Sequence, residues 1–170
     1  MNYFQEEMGD SVSVEIVEFS SGKDVNTALA AGSIDFGLEG SCPASLAIAQ
    51  DLGVELIWIH EVLGDVESLV ATGTSGINTV ADLKGKKVAV PFASTAHFSL
   101  LKAMENAGLS ASDVTVLDMQ PDKIYASWNS GDIDAAYIWE PTLSQLSNKK
   151  TVITSGELAK AGYMTSNVEV

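Results

Sequence analysis

Three short stretches carry residue types suited to holding a small charged molecule: Gly40-Ser41-Cys42-Pro43, Ala93-Ser94-Thr95-Ala96-His97 and Trp139-Glu140-Pro141. Each follows an apolar run and reads as the turn from a strand into a helix. The first N–H groups of a helix have no internal partner and sit at the positive end of its dipole, so the first two turns suit a tetrahedral anion. Glu140 differs, because a carboxylate would repel that anion. It could instead take the cationic end of a zwitterion, with Trp139 offering a ring face to the same charge.

Each of these residues also has a plainer reading. Ser94 is a natural helix N-cap, and Glu140 is favourable in any first turn. His97 could donate to an anion or only pack in the first turn of its helix. Cys42, at a helix start, is expected to have a lowered pKa, yet no base is paired with it to make a nucleophile. Glu67, at the start of a strand, could orient cleft groups or lie on the surface. Trp58 and Trp128 read as core.

Composition narrows the partners. The 170 residues are 46% hydrophobic and 19% charged, with a net charge of -14. That describes a folded chain with enough apolar mass for one substantial core or two small lobes. The acidity argues against nucleic acid, which rewards clustered Lys and Arg. All nine basic residues are lysines, so no bidentate guanidinium fork can hold an anion here, and backbone N–H groups, hydroxyls or lysines must do so. Cys42 is the sole cysteine, and His60 and His97 lie far apart, so neither a disulfide framework nor a metal or cofactor site is expected. No run approaches the roughly 18 apolar residues of a membrane span.

The elements that must position these turns follow from periodicity. Strands are predicted over 12–19, 34–37, 54–60, 68–72, 88–90, 114–117, 133–138 and 151–154. Helices are predicted from Asp24 to Gly32, from Pro43 to about Leu52, from Ser94 to Gly108, from an Asp122 cap to Gly131, and from Glu140-Pro141, with a short helical piece at Val80–Leu83. On the helix after Ser94, Phe98, Leu101 and Met104 share a face. The alternation indicates a parallel α/β organisation, in which ligands gather at the carboxyl ends of strands. Two features suggest two units. Residues 1–70 carry 13 acidic residues against Lys23 alone, whereas residues 71–170 carry 10 against 8 lysines. A helix-end, Gly-x-Ile-Asp, strand pattern also occurs twice, at Gly32–Asp35 and Gly131–Asp134.

Taken in order, Gly40-Ser41-Cys42-Pro43, Lys84 to Pro91, Ser94-Thr95-Ala96-His97-Phe98-Ser99-Leu100-Leu101 and Gly131 to Pro141 resemble the substrate-binding components of taurine and aliphatic-sulfonate ABC importers. The resemblance implies an α/β, two-lobed type II periplasmic-binding-protein architecture with mostly parallel sheets and an incomplete first lobe. Residues 1–73 would form that partial lobe and the first crossover strand, 74–165 the second lobe, and 166–170 the start of the return crossover. It implies a non-enzymatic receptor that closes on a small organosulfonate such as taurine. Gly40, Ser41 and Cys42 would lie in one lobe's anion turn and Ser94, Thr95 and His97 in the other's. Glu140 with Trp139 would face an amine, and Glu67 matches an acidic residue at the first crossover. Cys42 departs from the serine usual in the family and is a poorer donor.

By the same resemblance the partner is an ABC permease. The location is periplasmic or extracytoplasmic and lipid-anchored, given a signal sequence that the opening residues do not supply. Two other classes share the fold. An effector-sensing module would carry a helix-turn-helix and linker, and a pyrimidine-precursor synthase would need a His- and Cys-rich centre; neither is present in this sequence.

Overall fold

The computed structural model describes residues 3–9 and 11–170. Its larger sheet has five strands in the order β5-β4-β6-β3-β7. These are β3 (Glu67–Thr72), β4 (Lys87–Val90), β5 (Thr115–Asp118), β6 (Ala135–Trp139) and β7 (Lys149–Thr154). Their side chains alternate between two apolar layers, as the period of a strand requires. Leu69, Ala71, Val88, Val90, Ala135 and Tyr137 pack on one side against Leu100, Ala103 and Met104 of α4 (Thr95–Asn106) and Leu158 of α7 (Ser155–Lys160). Val70, Ala89, Ala136 and Ile138 pack on the other against Ile124 and Trp128 of α5 (Pro121–Ser130) and Leu143 of α6 (Thr142–Gln145). Helices therefore cover both faces, and the strands can be apolar throughout.

A second, three-stranded sheet has the order β1-β8-β2, formed by β1 (Leu38–Gly40), β2 (Trp58–Val62) and β8 (Ser166–Glu169). Beside it lie α2 (Gly22–Ala30) and α3 (Ser41–Ala49), while α1 spans Tyr3–Met8. Ala44, Val168 and Val170 make its small core.

The expectation of mostly parallel sheets is met only around β4, which runs parallel to β5 and β6. β3 is antiparallel to both β6 and β7, and β8 is antiparallel to both β1 and β2, so the sheets are mixed. Residues 12–19, expected as a strand, form none. The strand expected at 34–37 starts later, at Leu38. The run at 54–60 is displaced to Trp58–Val62 and every residue of that strand is exposed. Trp58, expected in the core, is 60% exposed, while Trp128 is buried as expected. Helix α5 is capped by Gln120 rather than Asp122, because Pro121 already occupies its first turn. Helix α4 buries Ala96, Ser99, Leu100, Ala103 and Met104, so its inner face lies beside the one expected, and Leu101 is exposed.

Candidate functional site

A cleft of about 400 Å³ opens where the two sheets meet. Three helices begin on it. Ser21 and Gly22 bring the start of α2, Gly40 is the N-cap of α3, and Ser94 and Thr95 start α4. The first N–H groups of a helix have no partner within it, and although the Asp24 N–H reaches the Ser21 carbonyl at 3.0 Å and the His97 N–H is capped by Ser94, three positive dipole ends border one volume. Ser94 itself is spent on local structure. Its Oγ accepts from the His97 N–H at 3.1 Å and donates to the Pro91 carbonyl at 2.6 Å, so it fixes the turn and leaves ligand contact to the backbone.

The close approach of these helices depends on two glycines. A Cβ on Gly22 would lie 2.5 Å from Pro43 Cγ, and one on Gly40 would lie 2.7 Å from Thr95 Cγ2. Both distances are below any tolerable contact, so α2 meets α3, and α3 meets α4, only where a side chain is missing.

Four carboxylates line the same cleft, and three are engaged. Glu67 is buried at the start of β3, where Thr95 Oγ1 donates to its Oε2 at 2.5 Å and Ser155 Oγ to its Oε1 at 2.7 Å. Burial raises its pKa, and these hydrogen bonds work against that rise. Glu140 is exposed at the rim and folded onto α6, where Ser144 donates to it through its N–H at 2.9 Å and its hydroxyl at 2.7 Å. Glu61 accepts from Asn167 Nδ2 at 2.9 Å. The fourth, Glu39, is 4% exposed, and neither carboxylate oxygen has a hydrogen-bond partner among the described residues. Burial pushes its carboxyl up to about 7. No lysine or histidine lines the cleft among the described residues.

Of the residues singled out in the sequence, the cleft gathers Gly40, Glu67, Ser94, Thr95, Trp139 and Glu140. Trp139, half-buried, pairs with Glu67 across β6 and β3, which sets its ring beside the cleft. Ser41 faces away, its Oγ accepting from the Ser166 N–H at 3.2 Å and so tying α3 to β8. Cys42 and His97 line a separate apolar groove with Leu46, Phe98 and Leu101. There burial, with Glu67 adding its charge, pushes the Cys42 thiol up to about 11. The lowering expected from its helix start is therefore overturned by desolvation. His97 stacks on Phe92 at 4.3 Å, and its Nδ1 accepts from the N–H of Ala93, a residue held at φ 63°. Burial lowers its pKa, and the ring braces the strained turn. Sequence reasoning missed Ser21, Gly22 and Glu39. A Ser-Gly before a helix carries the signal of the first two, whereas Glu39 has none, since only its surroundings distinguish it.

Helix starts thus converge on a cleft between the two sheets, and the chain belongs to the NMT1/THI5-like family, whose model matches residues 1–167. It is 38% identical over 156 residues to the taurine-binding periplasmic protein of Escherichia coli K12, a match covering 92% of this chain and 48% of that one. Among solved structures, it resembles the alkanesulfonate-binding protein SsuA of Xanthomonas axonopodis pv. citri bound to MOPS, with a TM-score of 0.80 and 28% identity over 98% of this chain and 57% of that one. The aliphatic sulphonate binding protein SsuA of E. coli gives a TM-score of 0.79 at 29% identity, with the same coverage. The chain thus spans about half the length of the relatives it matches. Among the described residues no helix is long and apolar enough to cross a membrane.

Proposed function

We propose that this chain is a non-catalytic solute-binding component of an ABC importer, working outside the cytoplasm and taking a small organosulfonate into the cleft described above. The observation that supports this reading is the convergence of three helix starts, at Gly22, Gly40 and Thr95, on one cleft that no arginine or lysine lines among the described residues. A sulfonate has three acceptor oxygens and a single charge, and an array of backbone N–H groups satisfies it without a fixed counter-ion. Residues 1–73 and 166–170 would contribute Gly22 and Gly40, and residues 74–165 would contribute Thr95 and Trp139. A ligand touching both sides at once has the differential affinity that favours a closed state.

Of the earlier site residues, Gly40, Thr95 and Trp139 keep direct roles. In this reading Glu67 and Ser94 position Thr95 and the α4 turn, while Ser41, Cys42 and His97 support local structure through hydrogen bonds and packing. The test is a thermal-shift panel of taurine, ethanesulfonate, sulfate, phosphate and glycine. A ligand that binds only the folded state raises the melting temperature in proportion to its saturation. Shifts with sulfonates and none with phosphate are expected. A shift with phosphate or glycine and none with either sulfonate would overturn the reading.

A further inference from the structure

Glu39 stands apart from the other acids of the cleft. Thr95 and Ser155 satisfy Glu67, Ser144 satisfies Glu140, and Asn167 satisfies Glu61, but both oxygens of Glu39 lack a partner among the described residues while the group is 4% exposed. A buried carboxylate left in that state is costly, and folding gains nothing from it. Its place is equally specific. It is the middle residue of β1, immediately before the N-cap of α3, with Oε2 only 3.0 Å from where a Cβ on Gly22 would stand, and it lines the cleft.

We infer that the Glu39 carboxylate is the seat for the cationic end of the solute, so that the cleft selects a zwitterion bearing a primary ammonium group over a simple anion. The inference rests on the organosulfonate reading for the other end of the ligand. An ammonium group brings three donors and a positive charge to two orphaned acceptor oxygens, and charge-assisted hydrogen bonds of this kind are the strong ones. The charges around it agree. Glu61, Glu67 and Glu140 share the cleft, Lys23 and Asp24 stand exposed on the first turn of α2, and Glu169 lies on β8. A plain anion would enter against that acidic field, whereas a zwitterion meets donors at its sulfonate and acceptors at its amine. Glu140, the sequence-based candidate for the amine, is less suited, because Ser144 already holds both its oxygens.

The test is calorimetry of the wild type, Glu39→Gln and Glu39→Asp with taurine, ethanesulfonate and β-alanine, each at pH 6 and pH 8. In the wild type, taurine affinity should rise from pH 6 to pH 8 as Glu39 ionises, while ethanesulfonate affinity should fall. Glu39→Gln should weaken taurine more than tenfold, leave ethanesulfonate unchanged or tighter, and abolish the opposing pH trends. Glu39→Asp should retain the preference for the amine. Equal losses of both sulfonates, or unchanged taurine binding in Glu39→Gln, would overturn the cation seat while leaving the sulfonate reading intact. Binding of β-alanine that depends on Glu39, with neither sulfonate bound, would keep the seat and overturn the sulfonate reading. No binding of any probe by the wild type would overturn both.

Discussion

Thr95 Oγ1 donates to Glu67 Oε2 at 2.5 Å, across 28 positions of sequence, and so ties the first residue of α4 to the first residue of β3. Both side chains are buried, and the bond holds the α4 start in register with the strand that carries the chain from one sheet to the other. Ser155 completes the arrangement from α7, and Tyr137 shares its hydroxyl with Ser155 at 3.0 Å.

Thr95→Val keeps the shape and removes the donor. It leaves a buried carboxylate oxygen unsatisfied, which costs about 1–3 kcal/mol. Chemical denaturation should show that loss, and Thr95→Ser, which restores the hydroxyl, should recover most of it. A variant as stable as the wild type would show that the bond contributes nothing.

Glu39 makes the stability of the ligand-free protein depend on pH with an unusual sign. Its folded-state pKa, about 7, lies above its ordinary value of 4.5, so between these values the folded form holds more protons than the unfolded one. Stability contributed by the protonated group is then fully present below pH 4.5 and is lost as pH rises through 7. At ~1.4 kcal/mol per unit, the loss is about 3 kcal/mol. The difference in melting temperature between Glu39→Gln and wild type should therefore widen from pH 5 to pH 8 in favour of the variant. Glu67, whose pKa is also raised, adds the same sign to both proteins and cancels in the comparison.

Gly40→Ala would drive a methyl group to 2.7 Å from Thr95 Cγ2, and Thr95 cannot yield without surrendering its bond to Glu67. Overpacking of this kind costs about 1–3 kcal/mol. The variant should melt lower and show a smaller ligand-induced thermal shift. An unchanged shift would separate Gly40 from the binding geometry.

Asp113 is held well below the usual carboxylate range by the hydroxyl and N–H of Ser110 and by Lys84 at 3.0 Å. Its contribution is present above pH 3.8 and is lost only as pH falls below that value, opposite in sign to Glu39. Asp113→Asn should destabilise the protein at pH 7, and the deficit should shrink at pH 3.

The β4–α4 turn was legible in the sequence because the signals that start and stop its elements are local, although Glu67 and Asp118 anchor it from a distance. Val88-Ala89-Val90 is a buried strand, Pro91 stops it, and Ser94 caps the helix that follows. The apolar run 54–60 misled because a strand's depth depends on what packs over it, and β2 lies exposed along an edge. The alternation at 12–19 also misled, since side-chain alternation alone does not fix a strand. In the site, the hydroxyl-bearing helix starts could be read from neighbouring residues. Glu39 could not, because its character comes from α2 and α3 closing around it, and their approach is fixed where Gly22, distant in sequence, meets Pro43.

The three tryptophans occupy three different environments. Trp58 is 60% exposed on β2, Trp128 is 6% exposed with its Nε1–H donating to the Ser147 carbonyl at 2.8 Å, and Trp139 forms part of the cleft wall. Their emission is therefore separable by aqueous quenchers, with Trp58 losing intensity first and Trp128 last. Trp139 is then positioned to report optically on cleft occupancy, and replacing Trp58 by phenylalanine would leave its signal against only the constant emission of buried Trp128, without touching the cleft walls.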